Sequence, residues 1–491
     1  MSSIKRSLYL SFLDKYSAMA IVIVTNLALA RILTPYDIGI FSIAASLVGL
    51  ASSLRDFGIG SYLLQEKELT VSRQRSAIGV ALVITWTIGG LLAACSGFIA
   101  KIYQDPAVQE AILALSINFF FIPLTMVVVM TLRREMRFGQ LYRVNLISVL
   151  CRSVAGIGLA LLGFGFMAMA WSSVAGSIAL FLMTRIELPA AGRLLPSLRE
   201  WRHVVSFGVL STVGQVLGEV GSAAPDLLIG RILSPAAVGF YSRAWSIRAL
   251  FSRAILEGLS PVAVSAVAMR HREGGDIRGL MLQGLTHVTA IGWPFFSFVA
   301  LLTFPVMRIL FGDQWDSAVP LARLLCLSAM VGLLDAMTWA VLQGTGSVGK
   351  YAVLQAFTVP TRVVILIVAL VLGGNLEAVG WASMLATVIH VAASLTFLRR
   401  LIGIRLREIL SAVTKSAGLA LFSSVAPTIV LLFMPVGPGD IWVPALLGAC
   451  GAGIGFTGAV FLLKHPLADE VATIFRQART LAWTALERRM M

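Results

Sequence analysis

Two short polar triplets stand out in this chain. Asn145, Ser148 and Arg152 follow the spacing i, i+3, i+7, and 210 residues later Gln355, Thr358 and Arg362 repeat it. On an α-helix that spacing places all three side chains on one face. Each triplet lies within a long apolar run. A charge at mid-bilayer costs about 2.5–3.5 kcal/mol on insertion scales, so it faces a cavity, a partner or the water edge. Arginine presents a planar, permanently charged fork suited to phosphate. Two readings stand for Arg152 and Arg362: cationic contacts on a shared cavity, or interfacial arginines that snorkel to water.

A second stripe runs Ser211, Gln215, Glu219, Ser222 and Asp226, at i, i+4, i+8, i+11 and i+15. It holds one helical face over about 22 Å. It is either the wall of a cavity or a buried stripe that satisfies itself between helices. Arg243, Arg248, Arg323 and Asp335 are single charges in apolar runs, each a packing partner or a substrate contact. Arg55 and Asp56 are neighbours whose side chains diverge by about 100°. Asp56 joins Glu219 and Asp226 as the acidic groups available for ion coupling or counter-charge. Arg248 joins Arg152, Arg362, Asn145, Gln355 and Gln215 as candidate substrate contacts. His287 and His390 are lone histidines, either packing residues or members of a proton relay.

The elements that position these residues are repeated. ARILTPYDIGIFSIA begins at Ala30 and returns as GRILSPAAVGFYSRA from Gly230. Arg31, Leu33, Pro35 and Gly39 recur as Arg231, Leu233, Pro235 and Gly239, and Asn26 stands where the later copy has Asp226. Each copy lies between two apolar runs and reads as a short turn joining two membrane helices. Internal duplication of this kind marks repeat architectures, and duplicated helix bundles in membranes are by default transporters.

Of the 491 residues 58% are hydrophobic and 13% charged, against about 25% charged in soluble domains. Several segments are long and apolar enough to cross about 30 Å of hydrocarbon. The expected fold is an all-α polytopic membrane protein with about fourteen spans. In the first half they fall near 12–30, 39–63, 76–100, 110–131, 142–163 and 166–185. In the second they fall near 203–230, 237–267, 280–303, 319–342, 351–373 and 377–398. Two more, near 408–434 and 441–463, have no counterpart. Six spans separate the two turns, so the repeats are parallel and form two lobes with a cleft between them. The expected domains are 1–190 and 191–400 as the lobes, 401–465 as the extra helix pair and 466–491 as an amphipathic cytoplasmic tail.

The net charge of +15 is one-sided. Lys5, Arg6, Arg133, Arg134, Arg399 and Arg400 belong to a set of loops about five times richer in Lys and Arg than the opposite set. Short basic loops favour the cytoplasm, which places both termini inside. The basic charge then meets anionic lipid, and nucleic acid is not needed to explain it. Lys5 and Arg6 followed by an apolar run and Ala28-Leu29-Ala30 have the outline of a signal peptide. The repeated turn that follows argues for a retained first helix.

Chemistry on covalent bonds finds no support. Cys95, Cys151, Cys326 and Cys450 are scattered, without metal-ligand spacing. No Gly-rich Lys-Ser/Thr phosphate loop is present, and the short loops leave no room for a catalytic domain. The expectation is a transporter rather than an enzyme, without a cofactor, driven by the membrane potential, H+ or Na+.

The first turn with LRDFGIGSYLLQ from Leu54, and PDLLIGRILSPAAVGFYSRAW from Pro225, resembles the polysaccharide transport (Wzx-like) family of lipid-linked oligosaccharide flippases. That family belongs to the multidrug/oligosaccharidyl-lipid/polysaccharide exporter superfamily. The family often has a second glycine where this chain has Ser234-Pro235. The resemblance implies export of undecaprenyl-diphosphate-linked oligosaccharides across a bacterial inner membrane for exopolysaccharide, capsule, O-antigen or lipopolysaccharide assembly. On this expectation Arg152 and Arg362 hold the diphosphate, while Gln215, Asn145 and Gln355 meet sugar hydroxyls. Partners would be the lipid-linked cargo, membrane lipids, and the polysaccharide polymerase and chain-length proteins. The alternatives are a multidrug/cation antiporter of the same superfamily or a lipid II flippase.

Overall fold

A backbone in hydrocarbon must satisfy its own N–H and C=O groups, and a helix does so within one segment. The computed structural model follows this rule. It describes residues 3–56, 70–189, 196–199, 201–434 and 439–468, with the side chains of 3–8, 56 and 202–215 outside the description. Helices and their connections account for the described residues, and no strand occurs among them. Thirteen of the described helices are long and apolar enough to cross a bilayer, and each overlies an expected span. The remaining expected span, 203–230, lies within the helix Trp201–Ile232. The expected amphipathic tail falls largely on 469–491, outside the described residues.

Packing groups the chain into two compact units, Met1–Ser242 with Leu366–Asn375, and Arg243–Ile365 with Leu376–Met491. The first contains α1 (Ser3–Ile32), α2 (Pro35–Asp56), α3 (Val71–Tyr103), α4 (Pro106–Ser116), α5 (Asn118–Arg134), α6 (Phe138–Leu161), α7 (Phe166–Glu187) and α8 (Trp201–Ile232). It thus includes α8, which by sequence opens the second repeat. The reason is local: α8 packs along α2. Gly230 sits against Ile43 and Tyr103, and the Tyr103 hydroxyl donates to the Leu227 carbonyl at 3.1 Å.

Cap chemistry explains the repeated turn. The Thr34 hydroxyl accepts from the Asp37 amide at 3.2 Å, and the Asp37 carboxylate accepts from the Thr34 amide at 3.0 Å, a reciprocal capping box. Pro35 occupies the first helical position, where its fixed φ helps and its missing N–H costs nothing. In the second copy the Ser234 hydroxyl accepts from the Ala237 amide at 3.1 Å, and Pro235 plays the part of Pro35. Asp37 also reaches across to α7, where its other oxygen accepts the Phe166 amide at 2.9 Å. The preceding Gly165 has φ +54, and a β-carbon there would stand 2.7 Å from that oxygen, so glycine is required twice over.

The second unit holds most of α9 (Pro235–Phe251), a π turn (Ser252–Leu256), α10 (Glu257–Arg272), α11 (Ile277–Leu301) and α12 (Thr303–Phe311). A 3₁₀ turn (Asp313–Ala318) leads to α13 (Val319–Gly332), a second 3₁₀ turn (Leu333–Asp335) and α14 (Thr338–Gly344). Then come α15 (Val348–Gly373), whose end from Leu366 belongs to the first unit, α16 (Leu376–Ile402), α17 (Leu406–Phe433) and α18 (Trp442–Leu462). Its core joins Val267, Met281, Leu285, Met337, Val341 and Leu398, all buried. Between membrane helices, association comes from close packing and interhelical hydrogen bonds rather than from escape from water. The extra pair, α17 and α18, shows both. Gly455 lies directly against the Phe422 carbonyl. Thr289 on α11 donates to Ser416 at 3.0 Å, and Thr286 donates to the Ala412 carbonyl at 3.1 Å.

Two interruptions in this unit matter for function. The π turn breaks the long apolar helix Pro235–Arg272. The 3₁₀ turn Leu333–Asp335 breaks the span Asp313–Gly344 in its second half. Interrupted spans are tolerated where the backbone lines a cavity or is buried in protein.

Candidate functional site

The break at Leu333–Asp335 opens onto a cavity of about 250 Å³ within the second unit. Gly332 and Asp335 form one wall. From α15 come Gln355, Thr358 and Arg362, three side chains whose i, i+3, i+7 spacing gives them a common face. From α9 come Trp245 and Arg248. From α16 come Ser383, Thr387 and His390.

Trp245 organises the cations. The Arg248 guanidinium carbon lies 4.7 Å from its ring centroid and that of Arg362 lies 5.9 Å from the same ring. Two guanidinium groups thus lie near one indole ring, whose π-system attracts cations. Among the described residues no carboxylate pairs with Arg362. Gln355 donates to the Tyr351 hydroxyl at 2.6 Å, and Tyr351 packs edge-on to Trp339 at 4.6 Å.

The acidic group of the cavity is held from another side. The Asp335 Oδ2 atom lies 3.0 Å from His390 Nε2, and Ser394 donates to Oδ1. Two arginines against one carboxylate leave the cavity net positive, whatever the state of His390. Its hydroxyls and amide are grouped with those cations. In charge and hydrogen-bonding groups such a cavity is chemically suited to an anion with polar substituents.

The sequence-derived candidates are distributed as follows. Arg248, Gln355 and Arg362 meet in this cavity. Asn145 and Arg152 lie on α6 in the first unit. Asn145 donates to Asp14 on α1 at 2.9 Å, and Ser148 donates to the Gly176 carbonyl on α7 at 2.7 Å. The Arg152 stem lies over Gly176, where a β-carbon would stand 3.0 Å from its own, and its side chain is exposed. Glu219 and Asp226 line a separate cavity of about 290 Å³ in the first unit. There Ser46 donates to Asp226 at 2.7 Å, and Glu219 lies over Gly49. The side chains of Gln215 and Asp56 lie outside the described residues.

Asp335 and His390 are the residues whose relationship sequence reading missed. They are 55 positions apart, and each taken alone is a single polar group in an apolar run. The available signal was Gly332 three residues before an acid in such a run, the composition of an interrupted span.

Comparisons with known proteins agree with this architecture. The profile of a family described as "Polysaccharide biosynthesis protein" matches residues 28–320. The "Lipopolysaccharide biosynthesis protein WzxC" of Escherichia coli (strain K12) is 23% identical over 336 residues, covering 65% of this chain and 66% of that protein. The "Succinoglycan biosynthesis transport protein ExoT" of Rhizobium meliloti (strain 1021) is 27% identical over 336 residues, covering 66% of each. The chain thus aligns with just under two thirds of the length of these relatives. Among solved structures, "Lipid II flippase MurJ, inward closed conformation" superposes with a TM-score of 0.72 at 12% identity, covering 93% of this chain and 99% of that one. At that identity the likeness is one of fold.

Proposed function

This chain belongs to the polysaccharide biosynthesis protein family, and from that premise we propose that it carries polyprenyl-diphosphate-linked oligosaccharides from the inner to the outer leaflet of a bacterial inner membrane. The process is transport by alternating access, with no covalent chemistry. The cargo has a greasy tail, a diphosphate and a bulky sugar head. Moving the anionic head through hydrocarbon unaided would cost on the order of tens of kcal/mol. A cationic, hydroxyl-lined cavity inside an apolar bundle removes most of that cost.

One observation carries the reading: Arg248 and Arg362 on the shared Trp245 ring, beside Gln355 and Thr358. The arginines suit a diphosphate, and the amide and hydroxyls suit a sugar. Arg152, Asn145 and Gln215 serve as further polar contacts along the path. Glu219, Asp226 and Asp56 supply the counter-charge that lets the empty carrier return. Both termini face the cytoplasm, and the polysaccharide polymerase and chain-length proteins receive the cargo outside. A diphosphate moving outward carries about two negative charges down a potential worth about 2.3 kcal/mol per charge per 100 mV, so the potential alone can drive export.

The test is flipping in proteoliposomes containing a lipid-diphosphate oligosaccharide, scored by access of an impermeant sugar-modifying enzyme. Protein-dependent exchange that falls in the Arg248/Arg362 double alanine variant supports the reading. Absence of exchange with or without an imposed potential, while cationic dyes are moved against a proton gradient, would replace it with an antiporter.

A further inference from the structure

The cavity contains a group that anion binding alone does not require. Asp335 projects a carboxylate into a space otherwise furnished for anions, 3.0 Å from His390 and held by Ser394. A permanent negative charge beside the diphosphate would weaken the site, and a simple anion receptor would omit it. Paired with a histidine, the carboxylate becomes adjustable. Histidine is the side chain whose ordinary titration lies between pH 5 and 8, so one proton on the pair cancels the opposing charge.

We propose that Asp335 and His390 form a proton-binding site linked to cargo binding in the same cavity. The proposal rests on the transport reading above and adds a second ligand, the proton, to it. With His390 neutral, Arg248 and Arg362 against Asp335 leave a formal charge of about +1; with a proton on the pair the charge is about +2. An anion of about two negative charges favours the second state. Linkage is reciprocal, so cargo capture draws a proton onto the pair and cargo departure releases it.

The surrounding groups are consistent with this role. Arg248 from α9 and Arg362 from α15, both permanently charged, line the same cavity as the pair. Tyr351, also on α15, is occupied by Gln355. Ser394, from α16 like His390, and Thr338 at the start of α14 hydrogen-bond each other at 2.8 Å behind Asp335. Glu257 lines a different groove with Met337. Among the described residues, no charged group lines the cavity other than the two arginines, Asp335 and His390. Asp335 sits on the interrupted part of a span and His390 on the regular helix α16, so the charge of the pair bears on a junction between a broken span and an intact one.

The experiment is binding of farnesyl-diphosphate-linked N-acetylglucosamine to the purified full chain in detergent between pH 5.5 and 8. This probe is a diphosphate diester, with no group of its own titrating in that range. The linkage predicts tighter binding as pH falls, by up to about tenfold per pH unit if one proton is taken up. Calorimetry in buffers of different ionisation enthalpy should count close to one proton per probe bound near neutral pH. His390→Gln keeps a donor for Asp335 but cannot titrate, and its binding curve should be flat with pH. Asp335→Asn should bind at pH 8 more tightly than the wild type does. A pH dependence unchanged in His390→Gln, or binding without proton uptake in the wild type, overturns the linkage and leaves the transport reading standing. No binding of the probe at any pH removes both.

Discussion

Gly39 and Gly239 stand back to back, each with its α-carbon against the proline carbonyl of the other's turn. A β-carbon on Gly39 would overlap the Pro235 carbonyl, and one on Gly239 would overlap the Pro35 carbonyl. The contact is reciprocal, as it must be where two copies of one motif meet about a local twofold relationship. The two glycines fall at the same place in the two copies because the same close approach is made from both sides.

Gly39→Ala should therefore be costly out of proportion to its size. Overpacking against backbone typically costs about 1–3 kcal/mol, because a carbonyl cannot rotate aside as a side chain can. The expected outcome is a lower melting temperature in detergent. Gly239→Ala should behave alike, and the double variant should lose less than the sum of the two, since one intrusion already parts the turns. Strict additivity would show that the glycines do not act on one contact.

Arg248→Ala and Arg362→Ala should each reduce flipping at least tenfold with protein levels unchanged. Arg362→Lys should recover only part of the loss, because an ammonium keeps the charge but not the planar fork. Initial rates in proteoliposomes check this. Full activity in Arg362→Lys would assign the residue a purely electrostatic part.

Asp226→Asn keeps a group that can accept from Ser46 while removing the charge. If Asp226 balances the returning empty carrier, flipping by this variant should respond differently to an imposed potential, since the cargo's charge remains but the counter-charge is gone, and should keep its rate without one. Comparing rates with and without a potassium diffusion potential decides the matter. An unaltered response would leave Asp226 as a packing residue.

His465, just beyond α18, gives a pH prediction for stability. Burial chiefly, with help from His287 and Lys415, holds its pKa down at about 4. Its Nδ1 accepts the Leu467 amide at 3.2 Å. The unfolded chain takes up this proton near an ordinary value of about 6.5, so between 6.5 and 4 the unfolded state binds more protons and stability falls with pH. Above 6.5 nothing is lost. Melting curves across this window should show a weaker acid dependence for His465→Leu than for the wild type; identical slopes would point to other groups.

Much of the fold was legible because hydrocarbon imposes a single solution on each apolar run. Expected spans such as 110–131 and 351–373 coincide with helices for that reason. The face of Gln355, Thr358 and Arg362 was legible too, since spacing on one helix determines it. What spacing could not supply is the neighbour. The matching face on α6 meets Asp14 and Gly176, so the same pattern lies in different surroundings. Nor does periodicity reveal that Asp335 leaves the helix and comes within reach of His390, because that contact depends on how α13 and α16 pack.

The π turn at Ser252–Leu256 has a consequence for how the two halves keep step. A π turn accommodates one residue more than an α-helix would over the same rise, and each residue is worth about 100° of rotation. The interval between matching residues is 200 at the shared turn and 210 at the triplets, so the second half is longer between them. A π turn is able to take up one extra residue inside a helix instead of in a loop. It acts as a phase adjuster, letting Trp245 and Arg248 keep one bearing while Val267, beyond the turn, keeps another toward the core. Removing a single residue there would leave every side chain of α10 intact and turn the whole cylinder away from its bearing.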